Sequence, residues 1–296
     1  MVSPDKFGFN PETAGTNPFQ HKSPLSPSKL RSLAVLEFKR MVEKLESEKI
    51  RVLVLGSRFD VVTPDAVFPN NWFSHHKDGR LVLYPMLAEN RRKERQLNNL
   101  KSLLNDAGIN HLKIVDLSKD EKQKQILEGT GSLVLDRENQ VAFAMESPRT
   151  SEQEFDKWCR EMKYEGVFFH AFDRNLKPIY HTNVIMSIGD KFAVVCFDAI
   201  ADEKEIFKIK SKLKKLKKQI IPITVDQMDN FCGNILQLKS RAGSRKILMS
   251  DMSFKSFTPR QKTQLRKYGK IITVNIPTIE TVGGGSARCM ITEIFG

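Results

Sequence analysis

The sequence is short of cysteine, and the four cysteines that it has are scattered. Cys159, Cys196, Cys232 and Cys289 form no CxxC pair, and none stands in a cluster with histidine at the spacing of a zinc site. Disulfide scaffolds and structural zinc sites both need such patterns, so we expect neither of them in this chain. A single reactive cysteine is still compatible with this distribution.

Long apolar runs are also absent. No stretch approaches the roughly 18 apolar residues that a membrane helix requires. The first residues, Met1 to Asp5, lack the charged and then apolar pattern of a secretory signal. We therefore expect a cytoplasmic protein that does not enter the membrane. With 40% hydrophobic residues among 296, the chain has enough apolar side chains for a sizeable core.

Acidic residues are outnumbered, 35 against 48 lysines and arginines, which gives a formal charge of +13. Such an excess raises nucleic acid as a partner. Much of it lies in 208–218, where Ile209, Leu213 and Leu216 recur at helical spacing, as do Ile206 and Phe207 just before. The lysines should therefore form the solvated face of an amphipathic helix. Because no aromatic residues alternate with the basic ones, nucleic acid is disfavoured as a partner.

One order of elements, strand–strand–helix–strand, recurs along the chain at roughly 50–55 residues. The turn signals and apolar runs predict three clear copies. Their elements are strands 132–135 and 140–143, helix 151–162 and strand 166–169; strands 183–188 and 191–196, helix 202–218 and strand 220–224; and strands 234–238 and 246–249, helix 258–267 and strand 270–274.

A fourth copy is predicted over 71–115, with a strand at 80–84, a long helix at 89–105 and a strand at 112–115. Helix 27–48 and strand 51–56, with a strand after Cys289, supply a fifth copy. Units of this kind stack around an axis, which predicts a single α/β domain over 1–296 shaped as a five-bladed propeller. A doubly wound sheet needs alternating strands and helices, so the paired strands argue against it.

Near the C-terminus, one cysteine follows three glycines and an arginine, in the order Gly283-Gly284-Gly285-Ser286-Ala287-Arg288-Cys289. Glycines let the backbone approach a ligand closely, and a neighbouring guanidinium favours the reactive thiolate. The same stretch is equally compatible with a glycine-rich turn in which Cys289 is a small apolar filler. The stretch alone leaves both interpretations open.

Four other stretches place polar residues beside glycines or prolines at predicted strand ends. They are Phe68–His76; Glu128–Ser132 with Ser147–Thr150; Tyr180–Asn183; and Cys232–Asn234. Each also has a purely structural interpretation: Asn70 and Asn71 are good turn formers, Glu128 fits a surface acid, and His181 fits a structural histidine. His75 and His76 are candidate metal ligands without further ligands nearby, which favours hydrogen-bonded histidines. A cysteine, a histidine and an acid are nevertheless the parts of a thiol nucleophile and its proton partners.

Taken together and in this order, these stretches resemble the guanidino-group-modifying, or pentein, superfamily, and within it the citrulline-hydrolysing branch. The resemblance begins at Phe7–Asn10 and Glu12–Ala14 and ends at Met290. It implies the five-bladed α/β propeller and a thiol mechanism without metal or cofactor. It also implies roles for site residues: nucleophile Cys289, general acid/base His181, acid Glu128, and Arg149 as the clamp on the substrate α-carboxylate. Asn234 is counted with the substrate-binding candidates, and Arg288 either lowers the pKa of Cys289 or touches substrate.

The departures from the family pattern concern the substrate. Arginine-processing members carry aspartates at two positions that are Asn71 and Asn183 here. Paired carboxylates suit a buried guanidinium, because burying that charge without a partner costs several kcal/mol. Carboxamides suit a neutral group with both donors and an acceptor, such as a ureido group.

The predicted function is therefore hydrolysis of L-citrulline to ornithine, carbon dioxide and ammonia through a covalent Cys289 intermediate. The alternatives are arginine deiminase or dimethylargininase activity, group transfer by an amidinotransferase, and a non-catalytic pentein that binds through the basic helix. The expected partner is a small amino acid substrate, and the sequence leaves a homo-oligomer open.

Overall fold

A computed structural model describes all 296 residues, and they divide into two compact units. The first unit comprises 1–130 and 276–296, and the second comprises 131–275. The single catalytic domain of the sequence analysis stays a prediction. No helix is long and apolar enough to cross a membrane.

The first unit contains one three-stranded sheet and several helices. Its elements are α1 (Pro11–Ala14), α2 (Pro27–Ser47), a 3₁₀ turn (Pro69–Asn71), β1 (Phe73–His75), β2 (Arg80–Leu83), α3 (Glu89–Arg92), α4 (Leu97–Asp106), β3 (Lys113–Asp116), a 3₁₀ turn (Ser118–Gln123), the turn α5 (Gly129–Ser132) at its boundary, and a π-helical turn (Ile279–Gly283). Strands β1 and β2 are antiparallel, and β2 and β3 are parallel. The core includes Trp72, Phe73, Leu81, Leu100 and Leu104.

The second unit contains three sheets of the same design. Its elements are β4 (Val134–Asp136), β5 (Val141–Met145), α6 (Glu152–Met162), β6 (Glu165–Phe169), α7 (Thr182–Ile185), β7 (Met186–Ile188), β8 (Phe192–Val195), a 3₁₀ turn (Phe197–Ala199), α8 (Glu203–Lys215), β9 (Gln219–Pro222), α9 (Val225–Asp229), β10 (Leu236–Lys239), β11 (Arg245–Ser250), α10 (Asp251–Ser256), α11 (Pro259–Arg266) and β12 (Lys270–Val274). In each sheet an antiparallel pair is followed by a parallel third strand. The first strands lie side by side, since β7 contacts both β4 and β10.

Four strand–strand–helix–strand modules are therefore present, one in the first unit and three in the second, as predicted. Side chains cap the helices at their starts. The Ser26 side chain accepts from the Lys29 N–H at the start of α2, and Thr258 forms a capping box with Gln261 at the start of α11. In α8, Ile209 and Leu213 are buried while most of the lysines are exposed, which confirms the amphipathic helix.

Four details of the sequence prediction are wrong. Predicted strand 51–56 makes only one parallel bridge, Leu55 to Val2, and no strand follows Cys289, so the fifth module and the five-bladed propeller are not confirmed. The predicted helix 89–105 breaks in two, because Gln96 has non-helical backbone angles and its side chain donates to the Gly56 carbonyl. The predicted strand 183–188 begins as the helical turn α7. On α8, Phe207 is 73% exposed and does not join the apolar face.

Candidate active site

The chain reaches Cys289 through a tightly held loop of the first unit. The Cys289 N–H donates to the Ser286 carbonyl at 2.9 Å, and the residue is 5% exposed. The Ser286 hydroxyl donates to Oε1 of Glu280 at 2.6 Å, within the π-helical turn. A buried acid thus fixes the loop three residues ahead of the cysteine.

The three glycines before Cys289 are required by packing. Gly284 has a left-handed backbone, with φ at +64°, and a Cβ there would lie 2.6 Å from Nδ2 of Asn17. At Gly283 and Gly285 a Cβ would lie 2.7 Å and 2.8 Å from the ring of Phe68. The glycines therefore have a structural cause, and the case for a nucleophile depends on Cys289 itself.

The N-terminal segment holds this loop from outside. Asn17 Nδ2 donates to the Gly284 carbonyl at 3.2 Å, and Gln20 Nε2 donates to the Gly283 carbonyl at 3.1 Å. Further along, the Glu37 carboxylate accepts from the N–H groups of Thr278 and Ile279, and burial raises the pKa of Glu37. None of these residues was singled out from the sequence, although Asn17 and Gln20 follow directly on the Phe7–Ala14 stretch.

Arg288 is largely buried beside the cysteine. Its Nη1 donates to the Ile291 carbonyl at 3.0 Å, and its Nη2 lies 3.8 Å from the Glu293 carboxylate. Part of its hydrogen-bonding capacity is thus used within the C-terminal segment. Its part in the site stays a prediction.

Asn71 and Glu128, two of the predicted site residues, lie together in the first unit. Glu128 is fully buried and its Oε1 accepts from the Leu87 N–H at 3.1 Å. Nδ2 of Asn71 lies 3.5 Å from the Glu128 carbonyl. The chain can approach so closely because the next residue is Gly129, where a Cβ would lie 2.2 Å from the Asn70 carbonyl oxygen. The glycine after Glu128 therefore allows Glu128 to pack against the turn that contains Asn70 and Asn71.

The main feature that the sequence analysis missed is Arg91, which is 1% exposed. Its Nη1 donates to Oδ1 of Asn71 at 2.6 Å, and its Nε and Nη2 bind both oxygens of Glu94 at 2.9 Å and 3.0 Å. The carboxylates of Asp65 and Glu128 each lie 3.9 Å from the guanidinium. Burial raises the pKa of Glu94 to about 7, although Arg91 opposes that shift. In the sequence, Asn90-Arg91-Arg92-Lys93-Glu94-Arg95 looks like a solvated helix face, so no signal marked Arg91.

In the second unit, Arg149 and His181 both pack against Tyr180. The Arg149 guanidinium lies over the Tyr180 ring, 5.0 Å from its centroid, and the rings of Tyr180 and His181 are 4.8 Å apart. Both candidate residues are nearly fully buried. Ser147 ties the two segments together, since its hydroxyl donates to the Tyr180 carbonyl and accepts from the Arg149 N–H. Arg149 and His181 thus share Tyr180 as a neighbour.

Asn183 and Asn234 are also neighbours in the second unit. His181 directly precedes the turn α7, and Asn183 lies two residues later. Nδ2 of Asn234 donates to the Asn183 carbonyl at 3.1 Å, and both residues are buried. Asn234 therefore supports the backbone of Asn183. The preceding Gly233 is needed because a Cβ there would lie 2.0 Å from the Val184 carbonyl oxygen.

His75 and His76 have protein partners. Nδ1 of His75 accepts from the Phe295 N–H at 3.0 Å, and Nε2 of His76 lies 2.9 Å from the Ser74 hydroxyl. Both histidines are thus hydrogen-bonded, the role that the sequence analysis favoured over metal binding. They give β1 and the C-terminal segment a shared anchor.

Residues 3–296 match the sequence model of a family described as N,N dimethylarginine dimethylhydrolase, eukaryotic. The chain belongs to this family. It is therefore a C–N hydrolase of the pentein superfamily, and the resemblance to that superfamily is confirmed. A comparison with curated proteins gave no match.

Solved structures agree with the family at the level of the fold. The N-terminal domain of ArgZ, an arginine dihydrolase from the ornithine–ammonia cycle in cyanobacteria, matches with a TM-score of 0.74 at 18% identity, over 99% of this chain and 97% of that one. Unliganded AgrE gives 0.75 at 19% identity, over 100% and 39%. A dimethylarginine dimethylaminohydrolase, as an adduct with 4-chloro-2-hydroxymethylpyridine, gives 0.60 at 14% identity, over 88% and 90%. The chain spans 40% of the longer ArgZ chain in its apo structure.

Proposed function

We propose that this hydrolase acts on L-citrulline and releases ornithine, carbon dioxide and ammonia. The observation that carries the proposal is that Asn71 and Asn183 are buried carboxamides, 3% and 2% exposed. A guanidinium ion buried against two carboxamides would lack a counter-ion at these positions, whereas a neutral ureido group can hydrogen-bond to them. The family's description refers to dimethylarginine, and these two residues are the reason to propose a different substrate.

In the proposed mechanism the thiolate of Cys289 attacks the ureido carbon. His181 gives a proton to the departing nitrogen and then takes one from the attacking water, while Glu128 orients the substrate. Hydrolysis of the covalent intermediate yields a carbamate, which decomposes, so one citrulline and one water give ornithine, carbon dioxide and ammonia. Arg149 binds the α-carboxylate by paired hydrogen bonds. Amide donors stabilise the oxyanion that forms on the ureido oxygen.

Arginine is a second candidate substrate, and one observation favours it. Three buried carboxylates, Asp65, Glu94 and Glu128, surround the single guanidinium of Arg91, which leaves a surplus of negative charge if all are ionised. Such a surplus attracts a cationic substrate. Among the proteins of similar fold, ArgZ is an arginine dihydrolase, and AgrE has been crystallised with L-arginine and with ornithine and NAD+.

The test is to incubate the purified protein separately with citrulline, arginine and dimethylarginine, and to assay ornithine, citrulline, ammonia and dimethylamine. We expect ornithine and ammonia from citrulline. Accumulation of citrulline from arginine would refute the proposal that the site prefers a ureido group. Release of dimethylamine would instead support the activity named in the family's description. Adding an amine acceptor distinguishes group transfer from hydrolysis. Salt-sensitive RNA binding without any turnover would instead favour the non-catalytic alternative.

Cys289→Ser should abolish turnover, since a hydroxyl lacks the thiolate's reactivity. The matched control is Cys159→Ser, because Cys159 is also buried and burial raises its pKa to about 12. Cys159→Ser should keep its activity. Unchanged turnover in Cys289→Ser would refute the thiol mechanism.

A further inference from the structure

Residues 207–217 of the second unit carry a dense positive charge that the proposed function does not use. The segment contains six lysines and no acidic residue. Most of it lies in α8, whose two acids, Glu203 and Glu205, are in its first turn. Glu205 also accepts hydrogen bonds from the ring and the N–H of His170. Helices α2 and α6, by contrast, carry glutamates among their basic residues. The single-sign charge is therefore a local feature of this segment.

Five of these six lysines are exposed to solvent, and together we call them the lysine face: Lys208, Lys210, Lys214, Lys215 and Lys217. The sixth, Lys212, forms an ion pair with Glu165, whereas no carboxylate lies within ion-pair distance of the lysine face. Lys210 and Lys214 are one helical turn apart, where like charges destabilise a helix. A helix that needed only to be soluble would carry acids among its lysines. The uncompensated repulsion indicates an anionic partner.

An exposed aromatic ring lies beside these lysines. Phe207 is 73% exposed, and it lies two residues before the buried Ile209, on the opposite side of α8. Lys210 and Lys214, three and seven residues further on, share the side of the helix that carries Phe207. Aromatic and apolar residues combined with lysines are typical of helices that lie in the plane of a membrane interface.

The residue types distinguish between classes of anionic partner. All six basic residues are lysines, whereas phosphate and nucleic-acid recognition relies on the planar fork of arginine. Single-stranded nucleic acid also needs several aromatic rings for stacking. A second copy of this chain carries the same charge of +13 and is repelled. A lysine ammonium is a mobile point charge, which suits a surface of many equivalent anionic head groups, and clusters of about four to eight basic residues bind such lipids.

We infer that the lysine face and Phe207 dock this protein on the surface of an anionic phospholipid membrane. The lysines attract the head groups, and the Phe207 ring enters the interface between head groups and acyl chains. Docking of this kind requires no membrane-spanning helix, and it weakens as salt shortens the range of the electrostatic attraction. The inference is independent of which substrate the active site converts.

The experiment sediments the full chain with vesicles of phosphatidylcholine, and with vesicles in which about 30% of the lipid is phosphatidylserine. We expect binding only to the vesicles that contain phosphatidylserine. Raising the salt from about 0.1 M to about 1 M shortens the Debye length from about 10 Å to about 3 Å and should release the protein. Phe207→Ala should lower the partition constant about tenfold through loss of the buried ring.

Lys210→Gln/Lys214→Gln/Lys215→Gln should lower the partition constant about 100-fold, since each lysine near an anionic surface contributes about fivefold. Ser211→Glu tests the same charge without removing a lysine. Ser211 is exposed one turn after Phe207, and a glutamate there pairs with Lys215 one turn later, which stabilises the helix. The variant should bind at least about fivefold more weakly at unchanged thermal stability, so unfolding cannot explain the loss.

The matched control is Lys29→Gln/Lys39→Gln/Lys44→Gln. These three exposed lysines lie on α2 among glutamates, and the variant has the same net charge as the triple variant of the lysine face. Its partition constant should stay within about twofold of that of the wild type, because charges beyond a Debye length from the membrane are screened. The comparison separates the lysine face from the overall charge of the chain.

No binding, equal binding to both kinds of vesicle, or an equal loss in the α2 control would overturn the inference. Salt-sensitive binding to poly(U) or polyglutamate without vesicle binding would also overturn it, and would assign the surface to nucleic acid or to an acidic protein. Each variant should keep the wild-type kcat/KM for citrulline in the absence of vesicles. A wild-type protein that binds the anionic vesicles without converting citrulline would refute the proposed function alone.

Discussion

Gly129 joins the buried acid Glu128 to the rest of the site, and Gly129→Ala is the sharpest perturbation that the structure offers. Gly129 has φ at +48°, in the left-handed region. A methyl group there would lie 2.2 Å from the Asn70 carbonyl oxygen and 3.0 Å from that of Asn71. Both atoms belong to the backbone, so no side-chain rotation can relieve the contact.

The magnitude follows from these distances. The left-handed conformation costs alanine about 1–2 kcal/mol, and the added methyl group costs about 1–3 kcal/mol by overpacking, which together give about 2–5 kcal/mol of lost stability. To lengthen 2.2 Å to the 3.0 Å that real contacts allow, the Asn70–Asn71 turn and Glu128 must separate by about 0.8 Å. A misplacement of about 1 Å at a catalytic group can cost about 100-fold in rate.

The assay measures kcat/KM for citrulline together with unfolding by urea. Gly108→Ala is the matched control, since Gly108 also has a positive φ, +87°, but a Cβ there would meet nothing within 4 Å. We expect Gly108→Ala to lose about 1–2 kcal/mol of stability at unchanged activity. Gly129→Ala should lose stability and, in the folded fraction, roughly 10- to 100-fold of kcat/KM. A folded Gly129→Ala protein with wild-type kcat/KM would refute the placement of Glu128 and Asn71 in the site.

Three further changes test other parts of the molecule. Lys218→Met should cost about 3–5 kcal/mol of unfolding free energy, because it leaves the buried Asp136 carboxylate without the Lys218 ammonium 2.8 Å away. Glu94→Gln should flatten the pH dependence of stability. The pKa of Glu94 rises from 4.5 to about 7 on folding, so the contribution of Glu94 to the free energy of unfolding falls as pH rises between those values. Arg149→Lys should raise KM for citrulline about 10- to 100-fold through loss of paired hydrogen bonds to the α-carboxylate.

Each of these has its own control. Lys204 is exposed on α8, and Lys204→Met should change the unfolding free energy by less than about 0.5 kcal/mol. Denaturation between pH 5 and 8 measures the slope for Glu94, and an equal slope in wild type and Glu94→Gln would contradict the assignment. For Arg149, a urea analogue without the α-carboxylate should be converted equally by wild type and variant. A KM effect that persists with this analogue would contradict the clamp.

The repeated modules could be predicted because local signals set their boundaries. Ser26, Ser151 and Thr258 are the N-caps of α2, α6 and α11, and β7 and β8 form an antiparallel pair on either side of Gly189 and Asp190. The misses occur where long-range contacts override the local pattern. Residues 89–105 have a helical composition, yet the helix is interrupted between α3 and α4, where the Gln96 side chain donates to the Gly56 carbonyl. Within α3, the Arg91 side chain is buried against the Glu94 carboxylate. A sequence pattern cannot distinguish such an arginine from a solvated one.

The candidate site shows the same difference between residues that the sequence indicates and residues that only long-range contacts reveal. Cys289, His181, Glu128 and Arg149 were predicted from residue type together with the family resemblance. The structure places Asn71 beside Glu128 in the first unit, and Arg149 and His181 against Tyr180 in the second. Their supporting residues were invisible to that reasoning. Glu37 lies in an ordinary amphipathic helix, and its link to Thr278 spans 241 residues of sequence. Only the tertiary structure shows that such a residue shapes the cysteine loop.

Asn71 illustrates why this difference matters. From the sequence, an asparagine in place of an aspartate indicates a neutral ligand, because a carboxamide carries no charge. That reasoning considers charge and leaves the direction of the hydrogen bond open. In the structure, the Asn71 oxygen accepts from Arg91 and the Asn71 nitrogen donates to the Glu128 carbonyl, while Asp65, Glu94 and Glu128 place negative charge around the Arg91 guanidinium. Negative charge by itself favours a cationic substrate, whereas the neutral carboxamides of Asn71 and Asn183 favour a ureido group. Because the three carboxylates are already shared with Arg91, we expect the carboxamides to prevail.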